Sequence, residues 1–458
     1  MFKTKSSINN EICFECNLNT NDDLNDIIYN YKQNFNIWKN VELNQRIELI
    51  KNLLNNFYKK KNIIIARLVT ESAKPISLSI NEFELFKKKA DEIINNSKKY
   101  LEPLEHNSIL LKRIPIGICL IMNSWHYPLQ IIANVIFPCL IAGNCVIFNS
   151  SKQIPSIGKI LKESFDETIG ENHNLLNFIF SNIAIDNDNL EFLLSHNDIS
   201  YIHYSGNKKE AKEIVKKSCQ NGILKHITLE LDGKNAAYVA EDANLKLSAK
   251  EICKSCFYNS GQNGSSIERV YVHKNVCDLF IHYLKQEAEN IIFGDPFDEN
   301  VNMGPITNSC DVKMIKNMIQ KSRAIGATQI LNQLHYKNAI KNGNYIPPQI
   351  LLEVGHNMEI MNEKIYAPVM CVMSVMNDES GIKCINECNI NISSSIWTEN
   401  IDKGKSLSNK TKSRFTFLNK CEYIDTMYYL NEIDNLKSNN PFEYCGYYSF
   451  TKLQSVYT

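Results

Sequence analysis

Apolar positions along the chain recur with two alternating periods. Between residues 25 and 100 they fall at helical spacing, which predicts a run of amphipathic helices. From 117 to 232, short apolar runs alternate with helical stretches in a βα rhythm, and a second αβ unit begins beyond 233. From Ile114 to Ser151 no side chain is charged, a length that invites a membrane-spanning reading. Pro115, Pro128 and Pro138, with Asn123-Ser124 and Gly143-Asn144, cut that stretch into a strand (117–122), a helix (129–141) and a strand (145–148). Runs that short and that apolar predict the interior of an α/β sheet covered on both faces. Further on, the pattern predicts a helix over 243–258, a loop around Gly264, a strand from Arg269 to His273 and a last strand over Tyr447–Tyr457. Alternating helices and strands throughout predict a layered α/β protein with largely parallel sheets.

Composition narrows this little. At 458 residues and 44% hydrophobic content, the chain can bury more than one core. Fifty Lys and Arg against fifty Asp and Glu give no net charge, which leaves no footprint for nucleic acid or an anionic membrane. The first residues lead into no apolar run, so no secretory signal is expected. The 15 cysteines lack framework spacing, which predicts reduced thiols and a cytoplasmic location. Cys13 and Cys16, and Cys253 and Cys256, have the spacing of metal pairs but lie too far apart in sequence for a compact zinc module. The second pair is expected on the apolar face of a helix, and no metal site is assigned.

The chemistry lies in Phe257-Tyr-Asn-Ser-Gly-Gln-Asn-Gly264-Ser-Ser-Ile-Glu-Arg269. This segment resembles the nucleophile segment of the aldehyde dehydrogenases, Phe-x-Asn-x-Gly-Gln-x-Cys-x-x-x-x-Arg. The resemblance extends along nearly the whole chain. Glu71-Ser-Ala-Lys74 is similar to Glu-x-Gly-Lys, and Pro115-Ile-Gly117 with Ser124-Trp-His-Tyr-Pro-Leu129 to Pro-x-Gly with Pro-Trp-Asn-Phe-Pro-Leu. Ala142-Gly-Asn-Cys-Val146, His203-Tyr-Ser-Gly-Asn207, Leu229-Glu-Leu-Asp-Gly-Lys234 and Glu363-Lys-Ile-Tyr-Ala-Pro368 follow in the family's order.

The resemblance implies a Rossmann-type cofactor domain over 1–105 and 118–232. It implies a second, catalytic α/β domain over 233–432 and a β oligomerisation arm from 106–117 and 433–458. It also implies NAD or NADP, an aldehyde substrate, and a homodimer or homotetramer.

The site itself departs from the pattern. Gly264 stands where the nucleophilic cysteine belongs, and glycine has no side chain with which to attack a carbonyl. The carboxylate that would activate water survives as Glu230. His126 replaces the oxyanion-binding Asn, and a neutral imidazole donates one hydrogen bond. Ser265 is adjacent but needs a base in contact, and Cys256 is expected to be buried.

On the cofactor side, Asn149 takes the position of the ribose-binding Lys, and Lys152 that of the ribose-binding Glu. Asn207, after Gly206, takes that of the pyrophosphate-binding Ser, and Lys364 that of the Glu on the nicotinamide ribose. Trp125 and Tyr366 are assigned to the cofactor site by the same resemblance. These exchanges imply weakened cofactor binding, although Lys152 suits a 2′-phosphate. Asp232 and Arg414 replace family glycines, at a cost in strain if those glycines held positive φ. The segment Asp434–Ser438 stands where a family glycine-rich motif belongs.

Three readings follow. One is a degenerate family member without thiol-dependent aldehyde oxidation. A second is an active enzyme with altered chemistry, hydrolytic through Glu230 and water or NADP-linked. The third is a non-catalytic nucleotide-binding or structural subunit.

Overall fold

A computed structural model describes residues 1–170, 180–333, 336, 343–388, 390–421 and 446–457. A short antiparallel pair, Phe2–Lys5 and Ile12–Cys16, opens the chain. Four helices follow, Asn21–Trp38, Leu43–Lys59, Lys61–Ser72 and Ile76–Leu101. Each presents an apolar stripe to one core, and the Trp38 indole donates to the Leu140 carbonyl at 3.0 Å.

That core surrounds a five-stranded parallel sheet in the order Phe180–Ile183, Cys145–Asn149, Ile118–Met122, Ile199–Gly206, His226–Leu231. Every residue of Ile118–Met122 is buried, which accounts for the uncharged stretch without a membrane. Among the described residues no helix is long and apolar enough to cross a bilayer. The helix over 128–141 carries a π-helical turn at Ile132–Ile136. Pro138 has no N–H for the ordinary i→i−4 bond, and the wider turn absorbs that gap.

A second sheet has seven strands in the order Thr328–Gln329, Gln349–Leu352, Val369–Val375, Ile267–His273, Asn235–Val239, Ser393–Trp397, Phe415–Leu418. All its pairings are parallel except the one between Thr328–Gln329 and Gln349–Leu352. A third, antiparallel sheet joins Leu104–His106, Ile109–Pro115 and Thr451–Tyr457. The last strand is shorter than the alternation over Tyr447–Tyr457 predicts. Gly446–Phe450 forms a 3₁₀ turn instead, because Tyr447 and Phe450 are buried against the first core and Tyr447 stacks on Tyr100. Asn144 ties these pieces together. Its side chain accepts from the N–H groups of Ile116 and Gly117 and donates to the carbonyls of Cys139 and Phe450.

In the first sheet the strand order reverses around Ile118–Met122, so the chain leaving Met122 opens at a topological switch point. The corresponding strand of the second sheet, Asn235–Val239, begins three residues beyond Asp232. The candidate site lies where these two edges meet.

Candidate active site

The loop that presents residue 264 is tightly built. The helix Leu245–Phe257 ends in a turn where Asn259, Ser260 and Gly261 all have positive φ, at 50°, 58° and 73°. Gly261 must be glycine, since a Cβ there would collide with the Ala367 carbonyl. The Ser260 hydroxyl donates to the Gly304 carbonyl at 2.8 Å, and the Gln262 side-chain oxygen accepts from the Thr307 N–H at 2.7 Å. Asn235 joins three segments, donating to the Gly264 carbonyl at 2.7 Å and accepting from the N–H groups of Ile392 and Ser393.

A cavity of about 490 Å³ opens beside this loop and is lined by Ser124, His126, Glu230, Asp232 and Gly264, among others. At Gly264 the missing side chain is replaced by one from elsewhere, because a Cβ built at 264 would fall on the Asp232 carboxylate. The Tyr366 hydroxyl donates to Asp232 Oδ2, and Asp232 Oδ1 faces His126 Nε2 across 3.5 Å. Burial pushes the Asp232 carboxyl up, but His126, Lys364 and the Tyr366 hydrogen bond outweigh it and hold the group below its ordinary range. Burial and the same carboxylate raise the Tyr366 phenol well above its usual value. The Ser124 hydroxyl is hydrogen-bonded to His126 Nδ1.

Neither Asp232 nor Arg414 has positive φ, so the strain expected if those glycines had been left-handed is absent. Glycine-free backbone at 232 is tolerated because residue 264 leaves room for the carboxylate. Ser265 donates to Asn263 Oδ1 at 3.1 Å. Cys256 is buried on its helix, with burial first and the Glu268 charge next driving its thiol far above the ordinary value. Glu230 extends from the strand His226–Leu231 and lies 3.6 Å from His203 Nε2.

The positions assigned to a cofactor are arranged differently. Lys364 is almost fully buried and pairs with Glu268 at 2.6 Å, and it donates to the Asn263 carbonyl at 2.9 Å. Glu268 also pairs with the wholly buried Lys234 at 2.5 Å. At the N-terminus of the helix Lys208–Ser218, the Asn207 side chain caps the N–H of Glu210, and the Glu210 carboxylate accepts from the Tyr204 hydroxyl at 2.5 Å. Asn149 and Gly206 end their strands, Lys152 is exposed beyond one of them, and none of these lines the cavity. The Trp125 and Tyr366 rings meet edge to face at 5.6 Å. Asp434–Ser438 lies outside the described residues.

The family model described as "Aldehyde dehydrogenase family" matches residues 1–427. The chain belongs to the aldehyde dehydrogenase family. Among its relatives is a betaine aldehyde dehydrogenase of Rhizobium johnstonii, 28% identical over 374 residues that cover 79% of this chain and 74% of the relative. An aldehyde dehydrogenase-like protein of Schizosaccharomyces pombe is 26% identical, over 93% of this chain and 86% of its own. The fold matches the NADP-dependent glyceraldehyde-3-phosphate dehydrogenase of Bacillus halodurans in complex with NADP. The TM-score is 0.87 at 21% identity, covering 99% of this chain and 95% of that one. Succinic semialdehyde dehydrogenase of Streptococcus pyogenes, in complex with NADP, matches at a TM-score of 0.87 and 20% identity over 100% of both chains.

Within that family fold, sequence reasoning missed three contacts. Ser124 touches His126, Asp232 fills the space beside Gly264, and Glu268 neutralises Lys364. The substitutions at 124, 232 and 364 were each visible as departures from a motif. The contacts between distant segments were not.

Proposed function

We propose that this chain is an aldehyde dehydrogenase family protein that does not oxidise aldehydes through a thiol and binds NAD or NADP weakly. One observation carries the reading. By resemblance Gly264 takes the position of the attacking sulfur, and the volume a side chain there would enter holds the Asp232 carboxylate. An aldehyde placed there meets a buried anion instead of a nucleophilic sulfur. That charge would repel an oxyanion formed on a carbonyl attacked from position 264.

The cofactor side supports the same reading. The Lys364 ammonium is committed to Glu268 and supplies no acceptor for ribose hydroxyls. Asn207 and Glu210 occupy the helix terminus at which a pyrophosphate would seek free N–H groups, and Glu210 adds negative charge there.

The two larger sheets and their separate cores support a division into a cofactor-type domain up to residue 232 and a catalytic-type domain beyond it. The pairing of Thr451–Tyr457 with Ile109–Pro115 supports an oligomerisation arm and a homodimer or homotetramer. The buried thiols of Cys119, Cys139, Cys253 and Cys256 support a reducing, cytoplasmic setting.

The test is steady-state formation of NADH or NADPH by the purified chain with short-chain and aromatic aldehydes. The expected rate is that of the protein-free control, and saturable turnover would overturn the reading.

A further inference from the structure

We propose that Ser124, His126 and Asp232 form a nucleophile, base and carboxylate array that hydrolyses acyl esters in the cavity beside Gly264. This goes beyond the function proposed above and needs no nicotinamide cofactor.

The argument begins with contact. The Ser124 hydroxyl meets His126 Nδ1, and His126 Nε2 faces Asp232 Oδ1 across 3.5 Å. A proton on Nε2, the nitrogen that faces the carboxylate, would leave Nδ1 as the acceptor for the serine O–H. A chain of this kind is what a serine requires, since its hydroxyl is inert without a base in contact and an oriented base. The 3.5 Å contact is long, as such contacts often are before a substrate closes the site.

The three residues come from two distant segments, and each departs from the motif its segment resembles. Serine replaces Pro at 124, histidine replaces Asn at 126, and aspartate replaces Gly at 232. Gly264 is the fourth departure, and it vacates the volume that the carboxylate uses. Four unrelated losses would not be expected to interlock. An array assembled at one point explains all of them.

The array is also held in place. Lys74, buried, donates to the His126 carbonyl at 2.8 Å and pairs with Glu82, whose other oxygen accepts from the Leu129 N–H at 3.3 Å. The Lys74 ammonium sits 4.3 Å from the centre of the Tyr127 ring. The Tyr366 hydroxyl fixes the second oxygen of Asp232, and the Tyr366 ring packs against the imidazole at 5.7 Å. The cavity, about 490 Å³, accommodates a short acyl group with its alcohol. Gln130 lines it with a buried side-chain nitrogen that has no hydrogen-bond partner among the described residues. That amide is the available donor for the carbonyl oxygen as it gains charge.

The reaction balances with water alone. Ser124 Oγ adds to the ester carbonyl carbon as its proton passes to His126 Nδ1. The C–O bond to the alcohol breaks, and the alcohol leaves with that proton. Water then adds to the acyl carbon and gives a proton to His126. The acyl–Oγ bond breaks, the carboxylic acid departs, and Ser124 recovers its proton. Nothing is oxidised or reduced.

The test uses the full chain with p-nitrophenyl acetate and p-nitrophenyl butyrate, together with a fluorophosphonate probe located by peptide mass spectrometry. Saturable hydrolysis and an adduct on Ser124 are expected. Ser124→Ala and His126→Gln should each lower kcat/KM by about a hundredfold or more and abolish the adduct. Asp232→Asn should lower kcat more than it changes KM. Hydrolysis by Ser124→Ala at the wild-type rate, or a probe adduct only at other residues, would overturn the proposal. Should the alanine variant fail to fold, Ser124→Cys decides. Its new thiol should react with iodoacetamide faster than the exposed Cys219 and Cys310, because the imidazole remains in contact. Reaction no faster than at those two would overturn the proposal. Absence of esterase activity would leave the nicotinamide assay, and the reading it tests, unaffected.

Discussion

The Asp232 carboxylate occupies the place where a side chain at residue 264 would begin. The two positions are coupled, so a side chain restored at 264 requires the Asp232 carboxylate to shift. Gly264→Cys alone should yield no aldehyde oxidation and should destabilise the fold by about 1–3 kcal/mol through overpacking. Urea unfolding of the variant would show this as a lowered midpoint. Adding Asp232→Gly should recover the stability, and a normal midpoint for the single variant would show that the carboxylate moves aside freely.

Lys364 and Glu268 form a second coupled pair. Lys364→Glu alone would bury two carboxylates together with only Lys234 to compensate them. Breaking a buried pair in this way costs about 3–5 kcal/mol. Lys364→Glu should therefore unfold at markedly lower denaturant, and Lys364→Glu with Glu268→Gln should recover most of the loss. A rescue of dehydrogenase chemistry thus needs changes at 264, 232, 126, 364 and 268. Changing only 264, 126 and 364 would crowd Asp232 and bury like charges at Glu268.

Cofactor affinity should be low. By resemblance, Asn149, Asn207 and Lys364 stand at positions that hold the cofactor, and their exchange would remove several hydrogen bonds, each worth about 0.5–3 kcal/mol. Calorimetric titration should give dissociation constants above about 100 µM for both NAD and NADP. Submicromolar binding of either would mean that residues outside the family positions hold it.

Glu71 should shape the pH dependence of stability. Burial raises its carboxyl from 4.5 to about 7, against hydrogen bonds from Ser156 and the charge of Arg67. A raised folded-state pKa means that the native protein holds this proton more tightly than the unfolded chain does. The stabilisation from the neutral acid is complete below about pH 4.5 and is lost as pH rises through 7. Glu71→Gln should remove this component, worth about 3 kcal/mol between the two limits. The check is the difference in unfolding free energy between wild type and variant at pH 5 and pH 8. An equal difference at both would contradict the assignment.

Much of the architecture was legible because its signals are local. The uncharged stretch from Ile114 to Ser151 broke at its prolines and glycines into strand, helix and strand, as the structure has it. The helix before the Gly264 loop ended within a residue of its expected limit. The π-helical turn was hidden, since Pro138 marks a break without showing how the backbone absorbs it. The strand expected from Tyr447 begins only at Thr451, because burial of Tyr447 and Phe450 in the first core overrides their alternation. At the site, the departures at Ser124, His126, Asp232 and Gly264 were each readable as residues. Their mutual contact was not, because it depends on two sheet edges meeting and on a side-chain volume that only the fold assigns.

The central claim is that no residue at position 264 captures an aldehyde and passes its hydride to a nicotinamide. A single-turnover experiment tests this most directly, with the protein in large excess over aldehyde and saturating NAD or NADP, followed by stopped-flow absorbance of the reduced cofactor. The account predicts no burst and a trace that overlays the protein-free control. A burst of reduced cofactor stoichiometric with the aldehyde added would contradict it.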